Sequence, residues 1–339
     1  MIEAADVVVL GLGPAGASAA AAAARRGCKV IALDRKREAG VPVQCAELVP
    51  AMLEVAAGSV RQAIDCMLTF VEDEAPDRTP HFPGRMLDRA RFDAGLVARA
   101  VEAGADCRFS VLVRSISPEG VVRTNQGYSV RGNTIIGADG PRSLAGRAIG
   151  SVNRELVETR QITVPLLEPH AATDIFLSAG IPGGYGWLFP KGDVANLGAG
   201  VVPAHKGKLK SIVARLHASL TRDGRVGSEV VSLTGGAIPV GGMLKPFGFR
   251  DETLVLLAGD AAGLANPVTG AGIAAAVHSG RLAGQVAAGA SAQTYQEELE
   301  DLYGAALDRA LRRRQELLHA KPEKAALRRG WIAYPEYWQ

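Results

Sequence analysis

The stretch that most restricts this chain is DVVVLGLGPAGASAAAAAARRGCKVIALDRK, residues 6–36. Val7 to Leu10 read as a buried apolar strand. Gly11, Gly13 and Gly16 form a G-x-G-x-x-G loop, and an alanine-rich helix runs on to a C-cap near Gly27. A second strand, Lys29 to Leu33, delivers Asp34. This is a βαβ unit in which one glycine makes the turn, one admits a pyrophosphate and one lets helix and strand touch. Pro14 suits a first helical position because no N–H is needed there. The helix N-terminus, with Ala15 and Gly16, offers free N–H groups to phosphate. Asp34 stands 23 positions after Gly11, placed to accept hydrogen bonds from an adenosine ribose. An acid there would repel a 2′-phosphate, which disfavours NADP at this site. Arg35 follows it and joins the candidate nucleotide-binding residues.

The bulk properties exclude several classes. A net charge of +3 over 339 residues does not describe a nucleic-acid binder. The four cysteines, Cys28, Cys45, Cys66 and Cys107, form no CxxC pair and suit neither a zinc site nor a disulfide framework. No metal is expected. The N-terminus runs into DVVVLGLG with no signal peptide, and no run of about 18 apolar residues predicts a membrane span. The expected location is the cytoplasm, with reduced thiols.

Three later segments narrow the cofactor. RARFDAGLVARAVEAGADCRFSVLVRSI begins at Arg89 with helical periodicity and continues into a strand expected to carry Val111 and Val113. NTIIGADGPRS ends a strand at Asp139–Gly140. ETLVLLAGDAAGLANPVTGAGIAAAVHSGRLAG ends one at Gly259–Asp260, then enters a small-residue helix near Gly272 and Ile273. With GLGPAG, the segments GADGPRS and LAGDAAG resemble the three fingerprints of the glutathione-reductase-type FAD fold, in the branch shared with aromatic hydroxylases. The resemblance implies FAD, with Asp260 near the ribityl and pyrophosphate part and Arg89 near the phosphates. It also implies the Val113 backbone near the adenine, Asp139 near the flavin, and the Gly272–Ile273 helix aimed at the ring. No second glycine loop in a βαβ context appears, so NAD(P)H would dock transiently or a protein would deliver electrons.

A narrower resemblance is to the geranylgeranyl reductase family. PVQCAE, PGGYGWLFPKG (182–192), GGAIPVGG (235–242) and GDAAGLANPVTGAGI carry it. With the FAD signatures it spans most of residues 5–290. The family reduces isolated double bonds of polyprenyl chains. Typical members are longer, which implies a reduced cap here. The resemblance places Cys45 and Ala46 in a loop beside the flavin, with Cys45 lining the reaction site. Tyr185, Trp187 and Phe189 alternate and would share one strand face, either a core face or the wall of a greasy cavity.

The expected fold is α/β: a Rossmann-like FAD-binding domain with an inserted antiparallel-sheet substrate domain and C-terminal helices. The FAD-binding parts are 1–59, 85–150 and 246–290. The substrate domain is 60–84 and 151–245, with strands in RQITVPLL, TDIFLSA, GWLFPKG and VANLGAGVV. Residues 291–339 form a cap that is rich in Lys and Arg and ends in GWIAYPEYWQ. That tail either contacts a membrane surface holding a lipid substrate or packs over the substrate domain or a partner subunit. Three functions follow. The first is an FAD-dependent reductase of an isoprenoid or similar apolar alkene. The second is a flavin monooxygenase of an aromatic or peptide substrate. The third is a prenyl-binding escort without flavin chemistry.

Overall fold

A computed structural model describes residues 2–320 and 323–339. Five parallel strands form the body of the first sheet, in the order Thr253–Leu257, Ser129–Gly137, Ile2–Leu10, Val30–Leu33 and Asp106–Arg108. Phe247–Arg250 adds an antiparallel edge. The central strands are near-continuous Val/Ile/Leu runs because helices cover both faces.

The helix Pro14–Ala24 is buried from Ala15 onward. It has no polar face because it lies between the sheet and the helix Ile273–Ala287. The two helices approach so closely that a Cβ at Gly280 would sit 2.0 Å from the Ala15 carbonyl oxygen, and one at Gly284 2.3 Å from that of Ala19. Small residues on both partners let the backbones touch.

The second sheet runs Ser232–Thr234, Leu156–Pro165, Val194–Val201, Gly186–Lys191, Ala172–Leu177, Cys66–Val71 and Asp77–Thr79. The helix Leu209–Arg222 packs on one face through Leu209, Ile212 and Val213. This sheet is antiparallel except at one seam. Ala172–Leu177 and Cys66–Val71 pair in parallel, because the long chain between them supplies the crossover that parallel strands need. A three-stranded sheet of Leu48–Pro50, Gly84–Leu87 and Val60–Ile64 sits apart from the other two.

Other details also depart from expectation. Val111 is not on a strand with Val113: the chain leaving Asp106–Arg108 passes through Ser110 at φ 60°, and the Val111 N–H bonds the Asp34 carbonyl. The strand Val113–Ile116 starts only after that turn.

The tail folds inward. Trp331 and Tyr337 are buried, and Trp338 is 57% exposed. Lys324 and Arg328 pair with Glu74, and the Tyr334 hydroxyl donates to Asp77 at 2.7 Å. These exposed pairs contribute little. The anchorage comes from Leu327 and Trp331, which pack in one cluster with Met67, Trp187 and Phe189. Among the described residues no helix is long and apolar enough to cross a membrane.

Candidate active site

A cavity of about 670 Å³ draws its lining from both large sheets. The first sheet and its helices contribute Gly13, Pro14, Ala15, Asp260, Gly272 and Ile273. The second contributes Tyr185, Trp187 and Phe189, and the connecting loop contributes Cys45 and Ala46. The G-x-G-x-x-G loop, the cysteine loop, the last helix of the parallel layer and the aromatic strand therefore face one space.

The cavity suits a dinucleotide on three counts. The helix Pro14–Ala24 begins with no side-chain cap, so the N–H groups of its first turn end at the cavity without protein acceptors. A Cβ at Gly13 would meet no atom within 4 Å, whereas one at Gly16 would collide with the Gly11 carbonyl at 1.8 Å. Gly13 thus opens onto space and Gly16 closes the turn. The Asp260 carboxylate makes no hydrogen bond among the described residues. Burial pushes it up to about 6, against the pull of the Arg89 charge. A carboxylate enclosed beside a cavity without a donor calls for one from a ligand.

Asp34 is buried, and its two oxygens accept the N–H groups of Leu12 and Lys36 at 2.7 Å each. It holds the glycine loop, and its remaining lone pairs are available to a ribose. Asp34 itself is not among the residues that line the cavity, and other expected contacts also lie off it. Arg35 is exposed, and neither Val113 nor Asp139 lines the space. Asp139 is engaged elsewhere: it accepts from the Ser143 hydroxyl at 2.5 Å and from the Leu144 N–H at 2.6 Å, at the start of the short helix Leu144–Ala148. Its motif reaches the cavity through Ala138 and Gly140 instead. Arg89 lines the cavity and pairs with Asp93 at 3.1 Å. Burial opposes its charge, and Cys45 and Asp93 outweigh burial and raise its pKa.

The aromatic wall is fixed by its polar handles. The Tyr185 hydroxyl donates to the Thr269 carbonyl at 2.6 Å, and burial raises its pKa. The Trp187 indole donates to Gln161 at 3.0 Å, and Gln161 donates in turn to the Cys45 carbonyl at 3.1 Å. Ring centroids stand 5.8 Å apart for Tyr185–Trp187 and 6.3 Å for Trp187–Phe189. Glu47 pins the cysteine loop from the other side. Its buried carboxylate binds the Lys191 ammonium at 2.7 Å and the Asn196 amide at 2.8 Å, and accepts the Arg89 N–H at 3.2 Å.

Sequence reasoning missed Gln161, Glu47 and Trp331. Trp331 is 3% exposed, lines the cavity and packs at a tilt against Tyr185 with centroids 4.8 Å apart. Its signal was present in the aromatic tail, but nothing local pointed that tail at Tyr185. Glu47 sits inside the PVQCAE motif. Gln161 carried no signal beyond being polar on a buried strand.

Comparisons with known proteins agree on the family. Residues 156–238 match the model of the geranylgeranyl reductase catalytic domain, and residues 6–100 match that of glucose inhibited division protein A. The chain is 33% identical to digeranylgeranylglycerophospholipid reductase 1 of Methanococcoides burtonii, across 85% of this chain and 75% of that one. It is 35% identical to digeranylgeranylglycerophospholipid reductase 2 of Methanopyrus kandleri, across 91% and 85%. In fold it is similar to a geranylgeranyl bacteriochlorophyll reductase-like protein from Thermoplasma acidophilum (TM-score 0.84, 24% identity, 96% and 90% covered). It is less similar to PqsL, a probable FAD-dependent monooxygenase from Pseudomonas aeruginosa (TM-score 0.68, 18% identity, 96% and 98% covered). The glycine loop, the aromatic strand and relatives of this extent converge: the chain is an enzyme and belongs to the geranylgeranyl reductase family of FAD-dependent oxidoreductases.

Proposed function

We propose that this enzyme binds FAD in the cavity and reduces isolated carbon–carbon double bonds of an isoprenoid lipid chain held against the aromatic wall. One observation carries the reading: Tyr185, Trp187, Phe189 and Trp331 line the same apolar space as Asp260, Gly272 and Ile273. By this reading Gly13, Pro14 and Ala15 take the pyrophosphate. Asp260 accepts from hydroxyl groups of the cofactor, and the helix starting at Ile273 directs its positive end to the ring. Reduced FAD supplies the hydride. The rest falls to the protein. An isolated alkene is electron-rich and resists hydride attack, so it must be held in line, kept from water and given a proton.

The wall does the holding. The Tyr185 hydroxyl and the Trp187 indole are engaged on Thr269 and Gln161, so these two rings offer the substrate their apolar parts, whereas the buried Trp331 indole N–H has no acceptor among the described residues. The Trp331 segment serves as a lid over this space. The cavity, shared with an isoalloxazine ring, takes one chain at a time and leaves the rest of the lipid outside, a size ordinary for a small-molecule site. Electrons arrive from a reduced nicotinamide or a protein donor that docks transiently.

The reading is tested anaerobically. Purified enzyme with dithionite as electron source should add two hydrogens per double bond to geranylgeranyl lipids, followed by mass spectrometry. NAD(P)H-driven oxygen consumption stimulated by an aromatic compound, with no alkene reduced, would replace it by a monooxygenase.

Cys45 lies beside Arg89 and lines the cavity, and its sulfur accepts the Glu47 N–H at 3.1 Å. We expect Cys45→Ser to keep its flavin content and lose at least tenfold in turnover. Unchanged turnover would reduce Cys45 to packing.

A further inference from the structure

A second cavity, of about 400 Å³, adjoins the first across the edge of the second sheet. Gln44, Thr159, Thr234 and Gly235 line both. The reason lies in the sheet. Leu156–Pro165 pairs with Ser232–Thr234 through Gln161↔Thr234, and with Ala237–Pro239 through Glu158↔Ala237. Between these ladders Thr159 and Arg160 face Gly235–Gly236, and the regular pairing is interrupted. The Thr159 N–H bonds the Gly236 carbonyl at 2.8 Å, and a Cβ at Gly235 would lie 2.5 Å from the Thr159 carbonyl oxygen. Gly235 lets the two backbones touch there, in an irregular contact between the two ladders.

What lines this second space is cationic. Arg160, Lys206 and Lys210 all contribute. Lys206 reaches Glu158 at 2.9 Å, and Glu158 also binds Arg142. Arg160 is half-buried and makes no side-chain hydrogen bond or ion pair among the described residues, and neither does Lys210. One carboxylate, already shared with Arg142, thus stands against three cations. A Cβ at Gly207 would meet no atom within 4 Å, which leaves the space beside Lys206 open. The Arg160 guanidinium, with no protein acceptor among the described residues, is free to take one from a ligand. Its planar fork matches phosphate oxygens in pairs.

We propose that Arg160, Lys206 and Lys210 form a phosphate-binding subsite beside the apolar cavity. It takes the phosphate or diphosphate group of a ligand whose other end enters the flavin cavity. Two sources share this chemistry: the head of a phosphorylated isoprenoid, and the diphosphate of a nicotinamide reductant. The first rests on the function proposed above; the second does not.

The test uses the FAD-loaded enzyme. With dithionite as reductant, kcat/KM is measured for geranylgeranyl diphosphate and for geranylgeraniol. In Arg160→Gln and in Lys206→Gln the ratio of the two should fall about tenfold, as for the loss of one charged hydrogen bond, with KM carrying the change. If that ratio holds but flavin reduction by NADH or NADPH, followed without alkene, needs about tenfold more nucleotide, the subsite serves the reductant. On the unaltered enzyme, inorganic pyrophosphate should compete with the same ligand, which covers the case of a variant that folds poorly. No competition by pyrophosphate, together with an unchanged ratio and unchanged nucleotide dependence, would overturn the proposal. Absence of alkene reduction with pyrophosphate still competing against NADH or NADPH would sink the isoprenoid reading and leave the subsite standing.

Discussion

Trp331→Ala is expected to lower kcat/KM for a geranylgeranyl substrate by about a hundredfold while the flavin stays bound. The residue is buried, lines the cavity and packs against the Tyr185 ring. Removing the indole deletes apolar surface from the substrate wall and opens the space to water from the tail side. Truncations of this size in a well-packed site cost about 3–5 kcal/mol. That cost falls on tail docking and on substrate binding, because Trp331 packs with Met67, Trp187 and Phe189 of the second sheet. The reduced flavin should also be reoxidised faster by oxygen, which stopped-flow absorbance can follow. Trp331→Phe keeps much of the area and should recover most of the loss. If Trp331→Ala leaves kcat/KM and reoxidation unchanged, the tail is a cover on the outside of the fold and has no part in the site.

That contact marks the boundary of what the sequence could reveal. The βαβ unit was legible because its information is local: strand, glycines, helix and acid follow one another within about thirty residues. The same holds for the start of the helix at Ile273, announced by its glycines. The aromatic strand was legible as a face by its period of two, but its destination was left open between core and cavity. Trp331 joins Tyr185 across 146 positions of chain, a packing fact that periodicity does not carry. Asp139 is the reverse case. Its motif suggested a cofactor contact, yet the nearby Ser143 hydroxyl and Leu144 N–H capture the carboxylate first. A short polar side chain at a strand end bonds whichever donor the backbone brings nearest. The second cavity was equally hidden. Arg160 reads as one more arginine on an alternating strand until the fold sets it beside Lys206 and Lys210.

Asp260→Asn should move apoprotein stability and FAD affinity in opposite directions. The Asp260 carboxyl titrates near 6 in the folded chain because burial disfavours its charge and Arg89 offsets only part of that. In the unfolded chain an aspartate titrates near about 3.9. The folded value is the higher one, so the unfolded state releases its proton first as pH rises. Stability contributed by this group is therefore complete below about pH 4, falls between about 4 and 6, and stays lowered above 6. A shift of about two units corresponds to about 3 kcal/mol at most. Asparagine abolishes the term. Flavin-free Asp260→Asn should thus unfold at higher denaturant concentration than the parent at pH 8, and at the same concentration near pH 4. FAD binding should weaken by ten- to a hundredfold, because a charged acceptor for the cofactor hydroxyls becomes a neutral one. Flavin-free protein destabilised at pH 8 by the substitution would mean that the carboxylate already has a partner within the chain. The assignment of its free valence to FAD would then fail. Both changes together would identify a carboxylate kept costly in the empty fold because the cofactor is what satisfies it.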